Sequence, residues 1–469
     1  MTPLFGWILA YCALLVLVGL RAGRTVRSGR DFFVAGRSLS SGLLFSTFLA
    51  ANLGAGATVG VAELGYLYGL SAWWWVGSAG IGSLALAFWV GPRLYRIAAQ
   101  HNLYTVGDYL ELRYNRAARL ATASLLWLGS LAILAGQLIA IGVVLHVVAG
   151  VSASVGSALG GLIVVVYFSA GGLASSARVN VVQLVVKAVG FAAAIPWALS
   201  AAGGWDGIAQ AAAVRGDAEA FMSITGVGAA GVARWAVILI PSFLVSPGLL
   251  QKLYGARDET VVRRGVGLQG VCLLGYSFLP VLLGMCAFAL LPDLERPALA
   301  LPTLLAEKLP SSLGGLMLAA IFSAEISSAD AILFMLSTAA TRDLAPSLIG
   351  RQLDENELLR WARVAAVFAG LLGVLAALWL DSIVAALTIF YSLLTVTLFV
   401  PLLAGLFWKR PRSGAALAAM AAGAPMTIAV QAATDGAGWG ILNPAAAGLL
   451  VSAVFFILFA TRKDEAAPL

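Results

Sequence analysis

From residue 322 the sequence reads FSAEISSADA, with five oxygen-bearing side chains in an otherwise apolar run. The flanks, GGLMLAA before and MLSTAA after, are apolar enough to sit in lipid. A charge near the centre of a bilayer costs about 2.5–3.5 kcal/mol, so Glu325 needs a partner. Ala324, Ser327 and Ser328 stand at i, i+3 and i+4, which places them on one face of a helix. Serines in such a helix either bond back to their own backbone or turn their hydroxyls to a ligand. Lys187 is the best placed partner for Glu325. The two form a structural ion pair, or Glu325 titrates or helps to bind a cation, and the residues leave both readings open.

The elements that carry these residues are membrane helices. Hydrophobic residues make up 61% of the 469 residues and charged residues 11%, and the mean hydropathy is +0.95. Apolar runs of about 20 residues recur from end to end, the signature of a polytopic all-α membrane protein. The net charge of +7 lies in short clusters between those runs, as the positive-inside rule expects, so no nucleic-acid partner is implied. Cys12, Cys272 and Cys286 fall inside apolar runs and read as packing residues. GxxxxGK[ST] and HExxH are absent and only His101 and His146 occur, which argues against an ATP-driven pump or a membrane metalloenzyme. No enzymatic activity is expected.

Thirteen spans are expected, near 4–21, 40–68, 71–98, 117–149, 153–172, 176–202, 231–253, 266–291, 312–341, 359–380, 383–408, 413–433 and 441–461. The first is followed by Arg21, Arg24, Arg27 and Arg30 rather than preceded by positive charge, so it reads as a retained helix and not a signal peptide. Basic clusters at 21–37, 93–119, 252–264, 342–363 and 409–412 alternate with loops holding only Arg215, Arg234, Arg296 and Lys308. That asymmetry predicts an outside N-terminus and a cytoplasmic C-terminus in a bacterial-type inner membrane.

Two of the spans look interrupted. The second holds Gly54, Gly56 and Gly60 after Asn52, and each glycine weakens a helix by about 1 kcal/mol relative to alanine. The seventh holds Pro241, Pro247 and Gly248. Glycines at mid-membrane allow either a close helix contact or an unwound segment whose carbonyls meet an ion. Interruptions at corresponding places in two five-helix halves point to an inverted repeat with a midplane site. The halves are 40–202 and 231–408, within a single transporter domain of 1–469 that also has a first helix and loop (1–39) and two C-terminal helices (409–469).

The chain resembles the sodium:solute symporter family. The likeness is carried, in order, by DFFVAGRSLS (31–40), AANLGAG (50–56), LYTVGDYLELRY (103–114), GGLASSARVNVVQ (171–183), FSAEISSADAILFMLSTAATRDL (322–344) and VPLLAGLFWKRPRSGA (400–415). The resemblance implies a leucine-transporter-like fold of five plus five inverted helices, here with one helix before the core and two after. It also implies a sodium site made by the carbonyls of Ala50, Leu53 and Ala324 and the hydroxyls of Ser327 and Ser328. Five neutral oxygens suit a hard, singly charged cation.

Two departures from the family pattern stand out. Many sodium-coupled members carry an aspartate early in the sixth span, where this sequence has Asn180. Glu325 falls where the family has an apolar residue. Lys187, seven residues past Asn180, lies on about the same face and roughly 10 Å further along the helix. Asn180, Glu325 and Lys187 are therefore expected to make a second cation or coupling site.

The expected function is sodium-coupled uptake of a small organic solute by alternating access. The solute is expected between the broken spans, near Asn52, Gly54, Ala57, Ser242 and Ser246, with Tyr391 as a neighbour. One alternative is proton-coupled or uncoupled transport, in which Lys187 and Glu325 replace an ion. A passive channel or transporter-derived sensor is the alternative from another class. Substrate and oligomeric state are not encoded in any motif read here, because one fold serves many solutes.

Overall fold

The computed structural model describes residues 37–460 except 170–171, 352–353, 381, 410 and 437, together with Gly6, Ala10 and Ala13; side chains at 167–182, 347–348, 355–356 and 359 are outside the description. The expected first span and the loop after it therefore lie almost entirely outside the described residues, as does 461–469.

Among the described residues, helix forms where the sequence runs apolar. The long helices include Arg116–Ala149, Gly172–Ala201, Ser311–Thr338, Glu355–Trp379 and Ile383–Phe407. Nine helical stretches among the described residues are long and apolar enough to cross a membrane. The described residues contain no β-strand, only isolated bridges such as Leu39 with Ala256. Polar residues at the loop boundaries start the helices. Asn115 accepts from the Ala118 N–H, Asp258 from Val261, and Asp354 forms a capping box with Glu357, each occupying donors that the first helical turn leaves free.

The outer surface is apolar. Leu128, Leu162, Val166, Leu371 and Trp379 are exposed, Trp379 to 90%. A soluble protein would not present so much contiguous apolar side chain to water, whereas a lipid-facing one must. Polarity is instead gathered inside. The Ser311–Thr338 helix is the most enclosed of the spans. It packs on Ser41–Asn52, Arg116–Ala149, Gly172–Ala201 and Glu355–Trp379, and Ser323, Glu325, Ser327, Ser328 and Asp330 on it are all buried.

Both expected interruptions are present. The second span is two helices, Ser41–Asn52 and Val59–Tyr68. Between them Leu53 (φ −94°, ψ 48°) leaves helical geometry, a short 3-10 turn covers Ala55–Ala57, and Thr58 (φ −122°, ψ −89°) ends it. The seventh span breaks at Ser246 (φ −55°, ψ 119°), between Gly228–Val245 and Pro247–Tyr254. A residue before proline is pushed out of the α region, which puts the break at Ser246.

Candidate functional site

The break in the second span faces the middle of the Ser311–Thr338 helix. The Ser328 hydroxyl donates toward the Ala50 carbonyl at 3.3 Å and the Ala51 carbonyl at 3.4 Å. The Ser327 hydroxyl turns back to the Ala324 carbonyl at 2.9 Å. Ser328 and Ala50 thus meet at a buried contact, with Leu53 following Ala50 within a turn, whereas Ser327 and Ala324 bond to each other within their own helix. The approach of Ser328 to Ala50 is close because Gly54 has no side chain. A Cβ there would collide with the Ser328 hydroxyl and with the side-chain carbonyl of Gln137.

Gln137 was not among the residues expected at the site. It lies on Arg116–Ala149, and its Oε1 accepts from the Ala55 N–H at 2.8 Å. Breaking a helix strands backbone donors, and a buried stranded donor must find a partner. A lone glutamine in an otherwise apolar run was the available signal.

On one side of the break lies a cavity between the two broken spans. Of the residues expected near the solute, Asn52, Gly54, Ala57, Ser246 and Tyr391 line it. Ser242 does not: it is fully buried, and its hydroxyl lies 2.6 Å from the Ile238 carbonyl, 2.9 Å from the Tyr391 carbonyl and 2.8 Å from Thr395 Oγ1. It holds the Gly228–Val245 and Ile383–Phe407 helices together. A serine four residues before the break sits on the face that packs, whereas Ser246 sits at the break itself. The walls include rings that sequence position did not assign, Trp75, Phe243 and Phe390. Tyr391 meets Phe243 with ring centroids 5.7 Å apart and Trp75 at 6.4 Å. Lys252 is the one charged residue lining the cavity among the described residues. Its ammonium reaches the Thr47 carbonyl at 3.5 Å and lies in the field of Asp330. Asp330 itself is 6% exposed.

A second polar cluster lies beside the break, and none of its side chains lines the cavity. The Thr58 hydroxyl stands 2.6 Å from Glu325 Oε1 and 3.0 Å from the Gly54 carbonyl. The Lys187 ammonium donates to the Leu53 carbonyl at 3.4 Å. Glu325 and Lys187 are both buried and attract each other, but they make no direct ion pair. The ion pairs among the described residues lie elsewhere. Of the expected trio, the structure thus brings Glu325 and Lys187 to one cluster; the Asn180 side chain lies outside the described residues.

An ion-pair network sits beyond the far end of the Ser311–Thr338 helix. Arg119 pairs with Asp108 at 2.9 Å, Glu111 at 2.6 Å and Asp343 at 2.8 Å, and the Thr105 hydroxyl donates to Asp343 at 2.9 Å. The network ties the Val106–Arg113 segment to both long helices. No group of histidine, cysteine or carboxylate side chains among the described residues could hold a transition metal.

The fold recurs in solved structures. A Na+-coupled sialic acid symporter in a substrate-bound outward-open state superposes with a TM-score of 0.81 over 98% of each chain, at 19% identity. A nucleobase-cation-symport-1 family transporter gives 0.59 over 92% of each, at 13%. At those identities the likeness is one of fold, which is leucine-transporter-like. In sequence, the chain is 25% identical to the sodium/glucose cotransporter of Vibrio parahaemolyticus, covering 89% of this chain and 83% of that one. It is 27% identical to the sodium/pantothenate symporter of Escherichia coli (strain K12), covering 89% and 88%. The family model for the sodium:solute symporters matches residues 32–423. With most of its length matched and its helix breaks in place, the chain belongs to the sodium:solute symporter family, membrane transporters for which sodium is the coupling ion.

Proposed function

We propose that this protein takes up a small organic solute together with sodium, by alternating access, across a bacterial-type inner membrane. The observation that carries the reading is the buried meeting of Ser328 with the Ala50 carbonyl beside the cavity. It joins the two elements that offer oxygens to an ion and adjoins the space for a solute. Ala50, Leu53, Ala324, Ser327 and Ser328 then bind sodium. Asn52, Gly54, Ala57, Ser246 and Tyr391 face the solute. The architecture behind this is thirteen spans in two inverted halves, 40–202 and 231–408, flanked by 1–39 and 409–469, with the N-terminus outside and the C-terminus cytoplasmic.

The cavity lining narrows the solute. Its walls are mostly apolar and aromatic, and a lysine lines it while no carboxylate does. The Asn52 amide nitrogen is buried without a partner, so it is a donor awaiting an acceptor. Such a lining favours a solute with an apolar or planar body and an acceptor group, neutral or anionic, over an amine. An amine would have no carboxylate to meet and would face Lys252.

The test is uptake into proteoliposomes under an imposed sodium gradient, after thermal-stabilisation screening of neutral, carboxylate and amine compounds with and without sodium. Accumulation against a solute gradient that collapses without sodium is the expected result. Equilibration without accumulation would mean a channel. Stabilisation by amines alone would overturn the assignment of solute class.

A further inference from the structure

The cluster behind the break has the composition of an ion site. Four elements contribute oxygens to it. The broken segment gives the Leu53 carbonyl and the Thr58 hydroxyl, and the Ser311–Thr338 helix gives Glu325. The Gly172–Ala201 helix gives Gln183, whose Nε2 donates to the Ser323 carbonyl at 3.5 Å. The Glu259–Tyr276 helix gives the Tyr276 hydroxyl, in the field of Glu325. Three of these oxygens, Glu325 Oε2, Gln183 Oε1 and Tyr276 Oη, are buried and have no hydrogen-bond partner. Buried oxygens with unused lone pairs around one carboxylate are what a small monovalent cation requires.

A cation stands beside these oxygens. Gln183 and Lys187 are four residues apart, so both face the same way from their helix. Lys187 is 2% exposed, and its ammonium donates to the Leu53 carbonyl. That carbonyl is one of the five oxygens assigned above to sodium. We propose that Lys187 is a tethered cation standing in for a second ion, its ammonium held at the Leu53 carbonyl beside the Thr58–Glu325 contact, so that the transporter carries one sodium where the cluster would otherwise hold two. The inference rests on the sodium-coupled reading and adds its stoichiometry. The charge of Glu325 is balanced by a residue that cannot leave, so this site stays neutral through the cycle and no second ion crosses with the solute. Lys187 also draws on a carbonyl that the mobile sodium shares, which weakens sodium binding next door.

The test is a count of sodium ions bound to the purified full-length protein, by 22Na+ equilibrium binding, for wild type, Lys187→Ala, and Lys187→Ala combined with Glu325→Gln. Wild type should bind about one ion, and Lys187→Ala about two, with the steeper sodium dependence of two sites. Adding Glu325→Gln should remove the gained ion and keep the first. Should Lys187→Ala not fold, Lys187→Met with Glu325→Gln leaves no unpaired charge. Its remaining site should bind sodium about tenfold more tightly, because the Leu53 carbonyl is no longer shared with the ammonium. An unchanged count in Lys187→Ala, or unchanged affinity in the neutral pair, overturns the proposal. Wild type and Ser327→Ala/Ser328→Ala measured alongside keep the readings apart: binding lost with the serines upholds sodium coupling whatever Lys187 does.

Discussion

The Ser328 hydroxyl lies 3.3 Å from the Ala50 carbonyl, across 278 residues of chain. The contact joins the most enclosed helix to the broken one. A hydroxyl aimed at a carbonyl whose own helix is ending is poised to share that carbonyl with a cation, since both groups have lone pairs to spare.

Replacing Ser327 and Ser328 together by alanine should therefore raise the sodium concentration for half-maximal uptake. Two lost oxygen ligands at about 1 kcal/mol each correspond to roughly a thirtyfold change. Uptake at several sodium concentrations checks it, and wild-type sodium dependence in the double variant would remove these serines from the site.

Gly54→Ala should disable transport more than it destabilises. The added methyl meets the Ser328 hydroxyl and Gln137, and overpacking of this kind costs about 1–3 kcal/mol. Because those two groups belong to the site, relief by small shifts would move them. Thermal unfolding and sodium-dependent uptake, measured on the same preparation, separate the two effects.

Gln137→Leu should destabilise by about 1–3 kcal/mol, since it keeps the volume and leaves the Ala55 N–H buried with no acceptor. Uptake should fall as well, because that bond holds the break in shape. If the variant unfolds at the wild-type temperature, the glutamine is not what supports the unwound turn.

Arg119→Met should be among the most damaging single changes away from the site. It strands Asp343, which is 5% exposed, next to Asp108, and breaking one half of a buried pair costs about 3–5 kcal/mol. Adding Asp343→Asn should recover part of that loss. Detergent-stability measurements on the two variants decide it; equal damage in both would mean that packing, not charge, is at stake.

Much of this protein was legible in one dimension. Lipid admits only structures that satisfy their own backbone, so apolar runs had to be helices. Glycines after Asn52 and a proline after Ser246 marked where two of them could break. The i, i+3, i+4 spacing placed Ala324, Ser327 and Ser328 on one face, and the cost of charge in lipid required company for Glu325. What that company was, tertiary structure alone decided. Helical periodicity gives the direction of a side chain but not which helix stands opposite, so a direct Glu325–Lys187 pair was a fair expectation from sequence. In the fold Thr58 stands at Glu325, and Lys187 reaches one residue of the break. The same limit hid Gln137 and the aromatic cavity wall, and it placed Ser242 beside the solute when its hydroxyl is spent between two helices. Position along a helix comes from local bonding; proximity between helices comes from packing, which no short stretch of sequence contains.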